Sequence, residues 1–322
     1  MPLSPRAALV VAAPWAGWAV LRATGSERGT PLVPATAFTR YAAATSVVPV
    51  VFAALTRARA AGLVATGAAA VLAGSVLVGP VRGGLRHVPA VPAGGRVLRL
   101  VALNMLHGRA DPAAVVALAR GTDADVLALS EVTPDAVTAL LANGVADLLP
   151  HGHVVPASEG VPPGGGGALW TRLEVRARGV VPGRFGQPSA RLHLDGGPDV
   201  EVSAVHTHPP TRTRAQVGRW EADLRQLPQP EAELLRVLAG DLNATPDHAS
   251  FRRLLRRGWV DAARATGSAL RPTWAPLRRG WPRLSLDHVL VDPRIGVVSF
   301  EVVHVPGSDH RALVTELRLP PV

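Results

Sequence analysis

The sequence predicts a layered α/β domain with mixed sheets, preceded by an apolar helical region. Three observations predict it. From residue 96 onward, short apolar runs of strand character alternate with helical patterns. Several of those runs follow one another closely enough to pair as hairpins, which mixes antiparallel with parallel neighbours. The first ninety or so residues, in contrast, are nearly free of carboxylates: Glu27 is the only one before Asp111. The expected division is a membrane region at 1–81, a Pro/Gly linker at 82–95 and one α/β domain at 96–322.

The chain has 322 residues and no cysteine, which excludes disulfides, thiolate catalysis and Cys-ligated zinc. Its formal net charge is +10, and every basic residue other than histidine is Arg. Such a surface suits nucleic acid or anionic lipid headgroups, and equally a solvated face with a biased composition. In the first region, "AAGLVATGAAAVLAGSVLVGPV" (Ala60 to Val81) is uncharged and long enough for a bilayer, which needs about 20 apolar residues. "AALVVAAPWAGWAVL" (Ala7 to Leu21) is a shorter candidate. "LVPATAFTRYAAATSVVPVVFAAL" (Leu32 to Leu55) is interrupted by Pro34, Arg40 and Pro49. Three membrane helices are expected, making the protein multi-pass in the cell membrane. Arg6, Arg57 and Arg59 favour a cytoplasmic side that sends the α/β domain outward, whereas Arg82, Arg86 and Arg96 argue the other way.

After "RGGLRHVPAVPAGG", a linker by its Pro and Gly, the elements follow in order. "RVLRLVAL" reads as a strand, and Asp111-Pro112 starts a helix that runs to about Arg120. "DVLALS" is a buried strand, "DAVTALLA" a helix and "GGALWT" another strand. "DVEVSAVH" alternates as a half-buried strand would. "RTRAQVGRWEADLRQL" is a helix with Val217, Trp220 and Leu224 on its apolar face. "ELLRVLAG", "LDHVLVD", "VVSFEVVHV" and "RALVTELRL" supply the remaining strands, and Pro246 reads as a helix start. Trp170, Trp220 and Trp259 read as core. Trp274 and Trp281 flank "APLRRG", read as a surface loop with substrate contact as the alternative.

The chemistry concentrates at strand ends. "LRLVALN" ends at Asn104, "DVLALSE" at Glu131, "VSAVHTH" at His206 and His208, and "LLRVLAGDLN" at Asp241 and Asn243. "LSLDHVLV" carries Asp287 and His288, and "GSDHRALV" carries Asp309 and His310. Loops at strand ends are where layered α/β folds build their sites. Converging carboxylates and amides there would make a hard, oxygen-rich metal site of the kind Mg²⁺ occupies. An imidazole beside it could stabilise or protonate a phosphoryl group.

Taken in order, Asn104, "LSEV", "GGALWTR", "HTH", "GDLNATP", "LDHVLV" and "SDHRAL" resemble the endonuclease/exonuclease/phosphatase superfamily over residues 96–320. That superfamily shares its fold with deoxyribonuclease I and neutral sphingomyelinases. The apolar N-terminal segments make the chain similar to membrane-anchored actinobacterial members, some linked to glycopeptide resistance. The resemblance implies a four-layer sandwich of two mixed β-sheets flanked by helices, and a metal-dependent phosphoric ester hydrolase using Mg²⁺, with Mn²⁺ as an alternative. It implies that Glu131 binds the metal with Asn104 and Asp309 around it, and that Asp241 positions or deprotonates the attacking water. Asn243 would orient the phosphate and Asp241, His310 and His206 would contact phosphoryl oxygens, and Asp287 would fix the tautomer of His310. The tyrosine used by apurinic endonucleases of the superfamily has no counterpart, because Tyr41 is the only Tyr and lies outside the domain. The reading is a membrane-tethered phosphoesterase facing the bilayer, with a phosphorylated, lipid-linked substrate. Its rivals are a membrane-anchored nuclease acting on DNA and a catalytically idle sensor or scaffold.

Overall fold

A computed structural model describes residues 5–85, 91–161, 163–276 and 280–321. The α/β domain is built on two six-stranded sheets. The first holds Val97–Asn104 (β1), Val126–Val132 (β2), His151–Val155 (β3), Gly166–Thr171 (β4), Gly296–His304 (β11) and Arg311–Arg318 (β12). Its spatial order is β11-β12-β1-β2-β4-β3. The second holds Glu174–Val180 (β5), Pro188–His193 (β6), Val200–His206 (β7), Leu235–Asp241 (β8), Val260–Asp261 (β9) and Asp287–Val291 (β10), in the order β5-β6-β7-β8-β10-β9. Both sheets are mixed: β1 runs parallel to β2 and β7 to β8, while the other ladders are antiparallel.

The strand periodicity sorts the core into layers. Leu98, Leu100 and Ala102 of β1 point at Val200, Val202 and Ala204 of β7 and at Val237 and Val289, filling the space between the sheets. Their alternates Val101 and Leu103 point outward with Leu127 and Leu129, under helices Pro112–Gly121 (α6) and Pro134–Ala142 (α7). Val145–Leu148 (α8) follows α7. On the far side, Val205, Leu238 and Leu290 meet Trp220 and Leu224 of Arg214–Gln226 (α9) and Phe251 of Ala249–Leu255 (α10). A short helix, Ala262–Ala265 (α11), lies beside β10. The result is the expected arrangement of two mixed sheets flanked by helices. Strand β7 is covered on both faces rather than one, and only Glu201 is half-buried, so its alternation does not separate wet from dry.

The helix starts follow from the sequence. Asp111 accepts from the Ala113 and Ala114 amides, Thr133 from Ala136, and Thr213 forms a capping box with Gln216. Pro246 starts no helix. It sits in a turn, and α10 begins at Ala249 behind His248, whose side chain makes no cap there. The missing cap comes from far away, because the Glu27 carboxylate accepts the Ala249 amide.

Five helices precede the domain: Pro5–Thr24 (α1), Leu32–Thr36 (α2), Thr39–Thr45 (α3), Val47–Leu55 (α4) and Arg59–Leu85 (α5). The segment expected as one middle membrane helix is therefore three short pieces. Its Pro34 lies in α2, and α3 gives way to α4 at Ser46. The last apolar helix runs on to Leu85, past the expected linker start at 82, and residues 86–90 of that linker lie outside the described residues. Ala8 packs with Ala53, Ala58 and Ala61, and Ala19 packs with Ala68 and Leu72. Helices α1 and α5 thus run parallel, and α3 and α4 return between them. Among the described residues two helices, Arg6–Thr24 and Arg59–Leu77, are long and apolar enough to cross a membrane, on length and composition alone.

The helical region is joined firmly to the domain. Arg22 pairs with Asp247 at 2.7 Å, and the Tyr41 hydroxyl donates to the Arg283 carbonyl at 2.8 Å. Val33 lies in the core formed by Trp220 and Phe251.

Candidate metal and phosphoryl centre

Strand register brings the predicted residues together. His206 ends β7 opposite Asp241 at the end of β8, and Asp287 opens β10 opposite the same Asp241. On the other sheet, Asn104 ends β1 beside Ser130. Glu131 occupies a bulge where the β2–β4 register shifts, and its φ is +55°. A bulge turns a strand residue off the alternation, and here it aims a carboxylate along the strand end instead of into a helix layer. Asn243 also lies in the left-handed region, at φ +46°. The preceding Gly240 has φ +143°, and a Cβ there would collide with the Val205 carbonyl.

At the centre, one amide links carboxylates from both sheets. Asn104 Nδ2 donates to Glu131 Oε1 at 2.9 Å and to Asp241 Oδ2 at 3.0 Å, while Asn104 Oδ1 accepts the Leu106 amide. His206 Nε2 stands 3.7 Å from Glu131 Oε1 and 3.8 Å from Asp241 Oδ2, and His310 Nε2 stands 3.7 Å from Asp241 Oδ2. These separations are too long for hydrogen bonds, so the groups face a common point without satisfying one another. Asp287 accepts His310 Nδ1–H at 2.9 Å and the Thr273 hydroxyl at 2.6 Å. Asn243 donates to the Thr207 carbonyl at 2.9 Å, and its amide N–H holds Asp241 Oδ1 at 2.8 Å. Asp309 accepts the Trp274 indole N–H at 2.9 Å, while its other oxygen is buried without a partner.

Burial and charge set the protonation states. Burial holds His206 down at about 4, so its ring is neutral. Burial pushes the Asp241 carboxyl up to about 7, reinforced by the Asp287 charge. For His310 burial acts against the imidazolium, but the Asp287 and Asp241 charges outweigh it and raise the ring to about 10.

Glu131, His206 and Asp241 each offer a ligand atom within 4.8 Å of the others, as do Asp241, Asp287 and His310. The Glu131 and Asp241 carboxylates crowd the first group, their close hydrogen bonds coming from the amides of Asn104, His107 and Asn243, and this oxygen-rich set fits a hard divalent cation. The second group is already closed by the Asp287–His310 and Thr273 hydrogen bonds, which suits proton handling better than ligation. All eight predicted residues thus lie at one end of the sandwich. Asn104 reaches the centre through its NH₂ face, and Asp309 lies on the His310 side, 3.9 Å from His310 Nε2.

The two Asp-His pairs divide their labour. Asp309 and His310 both face the centre, whereas only Asp287 of the first pair does. His288 points the other way, to Asp261 and the Ala244 carbonyl, and braces the "GDLNATP" loop from behind. His208 stays outside the cluster: its amide donates to Asp223, and its ring lies 6.0 Å from Phe185. Trp274 is not a plain surface residue, since its indole fixes Asp309. Residues 277–279 of the loop after it lie outside the described residues. Sequence reasoning missed Thr273, Phe185, which stacks on His206 at 4.3 Å, and Gln187, whose Oε1 accepts the His206 amide. It also missed His107, whose amide and ring both reach Glu131 Oε2. None of the four carries a strand-end acidic signature.

An oxygen-rich centre lined by two imidazoles thus lies at the seam of the two mixed sheets. The profile of the Endonuclease/Exonuclease/phosphatase family matches residues 101–310, and the chain belongs to that family. The fold resembles an endonuclease/exonuclease/phosphatase from Beutenbergia cavernae, with 22% identity, TM-score 0.57, and coverage of 70% of this chain and 72% of that one. It also resembles sphingomyelinase C from Streptomyces griseocarneus, with 19% identity, TM-score 0.51, and 69% and 99% coverage. A third likeness is to D. rerio TDP2 complexed with a single-strand DNA product, with 15% identity, TM-score 0.54, and 69% and 99% coverage. No curated protein sequence matches the chain.

Proposed function

We propose that this chain is a membrane-embedded, Mg²⁺-dependent hydrolase of phosphate esters or pyrophosphates carried on lipids. The observation that supports the lipid substrate best is the wall of the catalytic groove. The groove, about 590 Å³, runs from Glu131, Asp241 and His310 to Pro34, Ala37 and Phe38 of the helical region. Its remaining lining is rich in apolar side chains such as Val161, Phe185 and Leu286. An acyl or prenyl chain leaving the helices would pass along that wall with its phosphate at the polar end.

The outer faces of the helices support the membrane reading. Among the described residues, twelve of the nineteen exposed large hydrophobic side chains lie between Leu9 and Leu77, and Val10, Leu55 and Leu63 are each more than 70% exposed. Small residues fill the contacts between the helices, as membrane helices prefer. At 20 residues, α1 is about 30 Å long, a bilayer's hydrocarbon thickness. Arg6, Arg57 and Arg59 lie at the end far from the domain, which favours an extracytoplasmic catalytic side.

Glu131 would hold the Mg²⁺ with Asp309 near it, and Asn104, whose NH₂ donates to Glu131 and Asp241, would orient those carboxylates around the ion. The ion, when bound, supplies positive charge to a phosphoryl oxygen and aligns it. Asp241, pushed up toward neutrality, takes the proton of the attacking water, and Asn243 fixes its other oxygen. The imidazolium of His310, oriented by Asp287, meets the negative charge that builds on the phosphoryl oxygens. His206 remains neutral and donates from Nε2.

The test uses the full chain in nanodiscs, because removing residues before 95 would strip Val33 and Glu27 from the domain. Lipid pyrophosphate, a sphingomyelin-like diester and plasmid DNA are offered with and without chelator. Chelator-sensitive turnover of a lipid substrate is expected. Cleavage of DNA alone would establish the nuclease reading instead, and turnover of nothing would leave a sensor or scaffold.

A further inference from the structure

Between Asp261 and Asp287 the sequence holds no carboxylate, while five of its residues are arginine. Two arms of this stretch, residues 270–275 and 281–286, pair with each other. The Thr273 and Trp274 amides donate to the Leu284 carbonyl at 2.9 Å, and the Leu284 amide donates to the Trp274 carbonyl at 3.0 Å. The Ser285 hydroxyl donates to the Arg271 carbonyl at 2.9 Å, which sets Arg271 against the arm that carries Arg283.

Both arms lie against the helical region. α11, which leads into the first arm, packs on α5. Leu270, Leu284 and Ser285 line one small cavity together with Ser75 and Val76 of α5. The Tyr41 hydroxyl of α3 accepts the Arg283 amide at 2.7 Å and donates to the Arg283 carbonyl at 2.8 Å. Ser75 and Val76 stand at the C-terminal end of the apolar stretch Arg59–Leu77. In a bilayer that is where hydrocarbon gives way to headgroups, the depth at which Trp, Tyr and Arg side chains collect.

What the arms turn outward suits that depth. Trp281 is 60% exposed, the most of any large hydrophobic side chain described outside the helical region, and Leu270 is half exposed. Arg271 and Arg283 are exposed too, and among the described residues their side chains pair with no carboxylate. Lone exposed apolar residues are common on any protein surface. Here an indole, an aliphatic side chain and two guanidiniums without acidic partners sit on one paired ribbon beside an apolar helix. We infer that these arms are a second attachment to an anionic bilayer, additional to the helices, a contact that rests on the membrane reading above. Leu270 and Trp281 enter the interfacial layer, and Arg271 and Arg283 pair with lipid phosphates. A nucleic acid would also meet the guanidiniums, but a bilayer accounts in addition for Leu270 and for the apolar helix alongside. The same arms carry Thr273 and Trp274, whose side chains hold Asp287 and Asp309, so the lipid contact abuts the catalytic centre.

The test exploits the absence of cysteine from the chain. The full chain, with bimane on one introduced cysteine at a time, is reconstituted in vesicles that carry doxyl lipid. The vesicles are dioleoyl phosphatidylglycerol or dioleoyl phosphatidylcholine. Leu270→Cys and Trp281→Cys report the arms, and Leu63→Cys reports the exposed face of α5. Asp195→Cys is the aqueous control, at a side chain 95% exposed beside the start of β1, the end of the sandwich opposite Asn104. Quenching is expected at 63, 270 and 281 in phosphatidylglycerol and not at 195, with the arms quenched less in phosphatidylcholine. Arg271→Gln and Arg283→Gln should each weaken the arm contact with phosphatidylglycerol about fivefold. Quenching at 63 with none at 270 and 281 would overturn the second attachment and leave the membrane reading standing. Quenching at 270 and 281 with none at 63 would sink the spanning helices and keep the arms as the attachment. Arm quenching that is equal in both lipids and indifferent to the arginine changes would overturn the recognition of anionic headgroups. Arm labels shielded by plasmid DNA and untouched by lipid would overturn it in favour of a nucleic-acid face.

Discussion

His248 gives the sharpest quantitative test, because both of its ring nitrogens are accounted for. Nδ1 accepts the Thr245 amide at 2.9 Å, which obliges Nε2 to carry the proton that it donates to the Val33 carbonyl at 3.0 Å. The ring is fully buried, with its edge on Trp220, and burial holds it down at about 4, helped by the nearby charge of Arg252. A proton on Nδ1 would face an N–H, so the imidazolium cannot be accommodated. The folded value lies below the ordinary one near 6.5, so the detached state binds more protons in acid. The contribution is therefore complete above pH 6.5 and is lost as pH falls from there toward 4. Between pH 7 and pH 5 the loss is about 1.8 kcal/mol, or about 20-fold in the equilibrium for opening residues 29–38 from α10. Asp247, whose carboxyl is raised by burial, titrates in the opposite sense, so wild type is compared with His248→Gln, where that contribution is common to both. Gln keeps one acceptor and one donor without a titrating proton. The assay is hydrogen exchange of segments 31–38 and 245–252, expressed as protection factors. A protection loss of that size in wild type and a flat response in the variant are expected. Identical behaviour of the two proteins, or unchanged protection at pH 5, would refute the reasoning.

Asp287→Asn should cut turnover about 100- to 10,000-fold with substrate binding little changed, since His310 loses the acceptor that orients and charges it. Adding His310→Ala should cost little more, and additive losses would separate the two residues. Glu131→Ala should abolish metal-dependent hydrolysis while circular dichroism stays native, and retained activity in excess chelator would remove the metal from the reaction. Gly240→Ala should destabilise the fold by about 2 kcal/mol or more and inactivate it, because the new methyl meets the Val205 carbonyl at the β7–β8 junction; an unchanged melting temperature would contradict that packing. A reporter fused after Val322 should work only in its exported form, and a reporter active only in the cytoplasm would reverse the topology.

Much of the fold was legible because covered strands and capped helices leave local marks. Asp111-Pro112 and the Val217, Trp220, Leu224 stripe state their helices outright, and runs such as "DVLALS" state strands buried on both faces. Strand β5 left no mark, since "EVRARGV" is an edge strand whose side chains are mostly solvated. α10 was misplaced by three residues because its cap, Glu27, is distant in sequence. The acidic and amide residues of the site were legible because they end apolar strands. Thr273, Gln187 and Trp274 were not, as their roles depend on which strand ends lie side by side. The middle apolar segment misled for a related reason. Its composition suits a membrane, but Val33 is drawn into the domain core and the Val33 carbonyl is taken by His248, so the chain breaks there.

The amide of Asn104 stitches a carboxylate of one sheet to a carboxylate of the other, at the end of an interface filled mainly by non-directional apolar contacts. Apolar layers tolerate a small slide between sheets, whereas a two-ended hydrogen bond of about 3 Å does not. Heating should accordingly silence the protein before it melts it: the two sheets can lose their mutual alignment while each keeps its own ladders. Inactivation temperature would then lie below the loss of secondary structure, and bulky substitutions at inter-sheet positions as remote as Leu98 or Val200 would widen the interval between them.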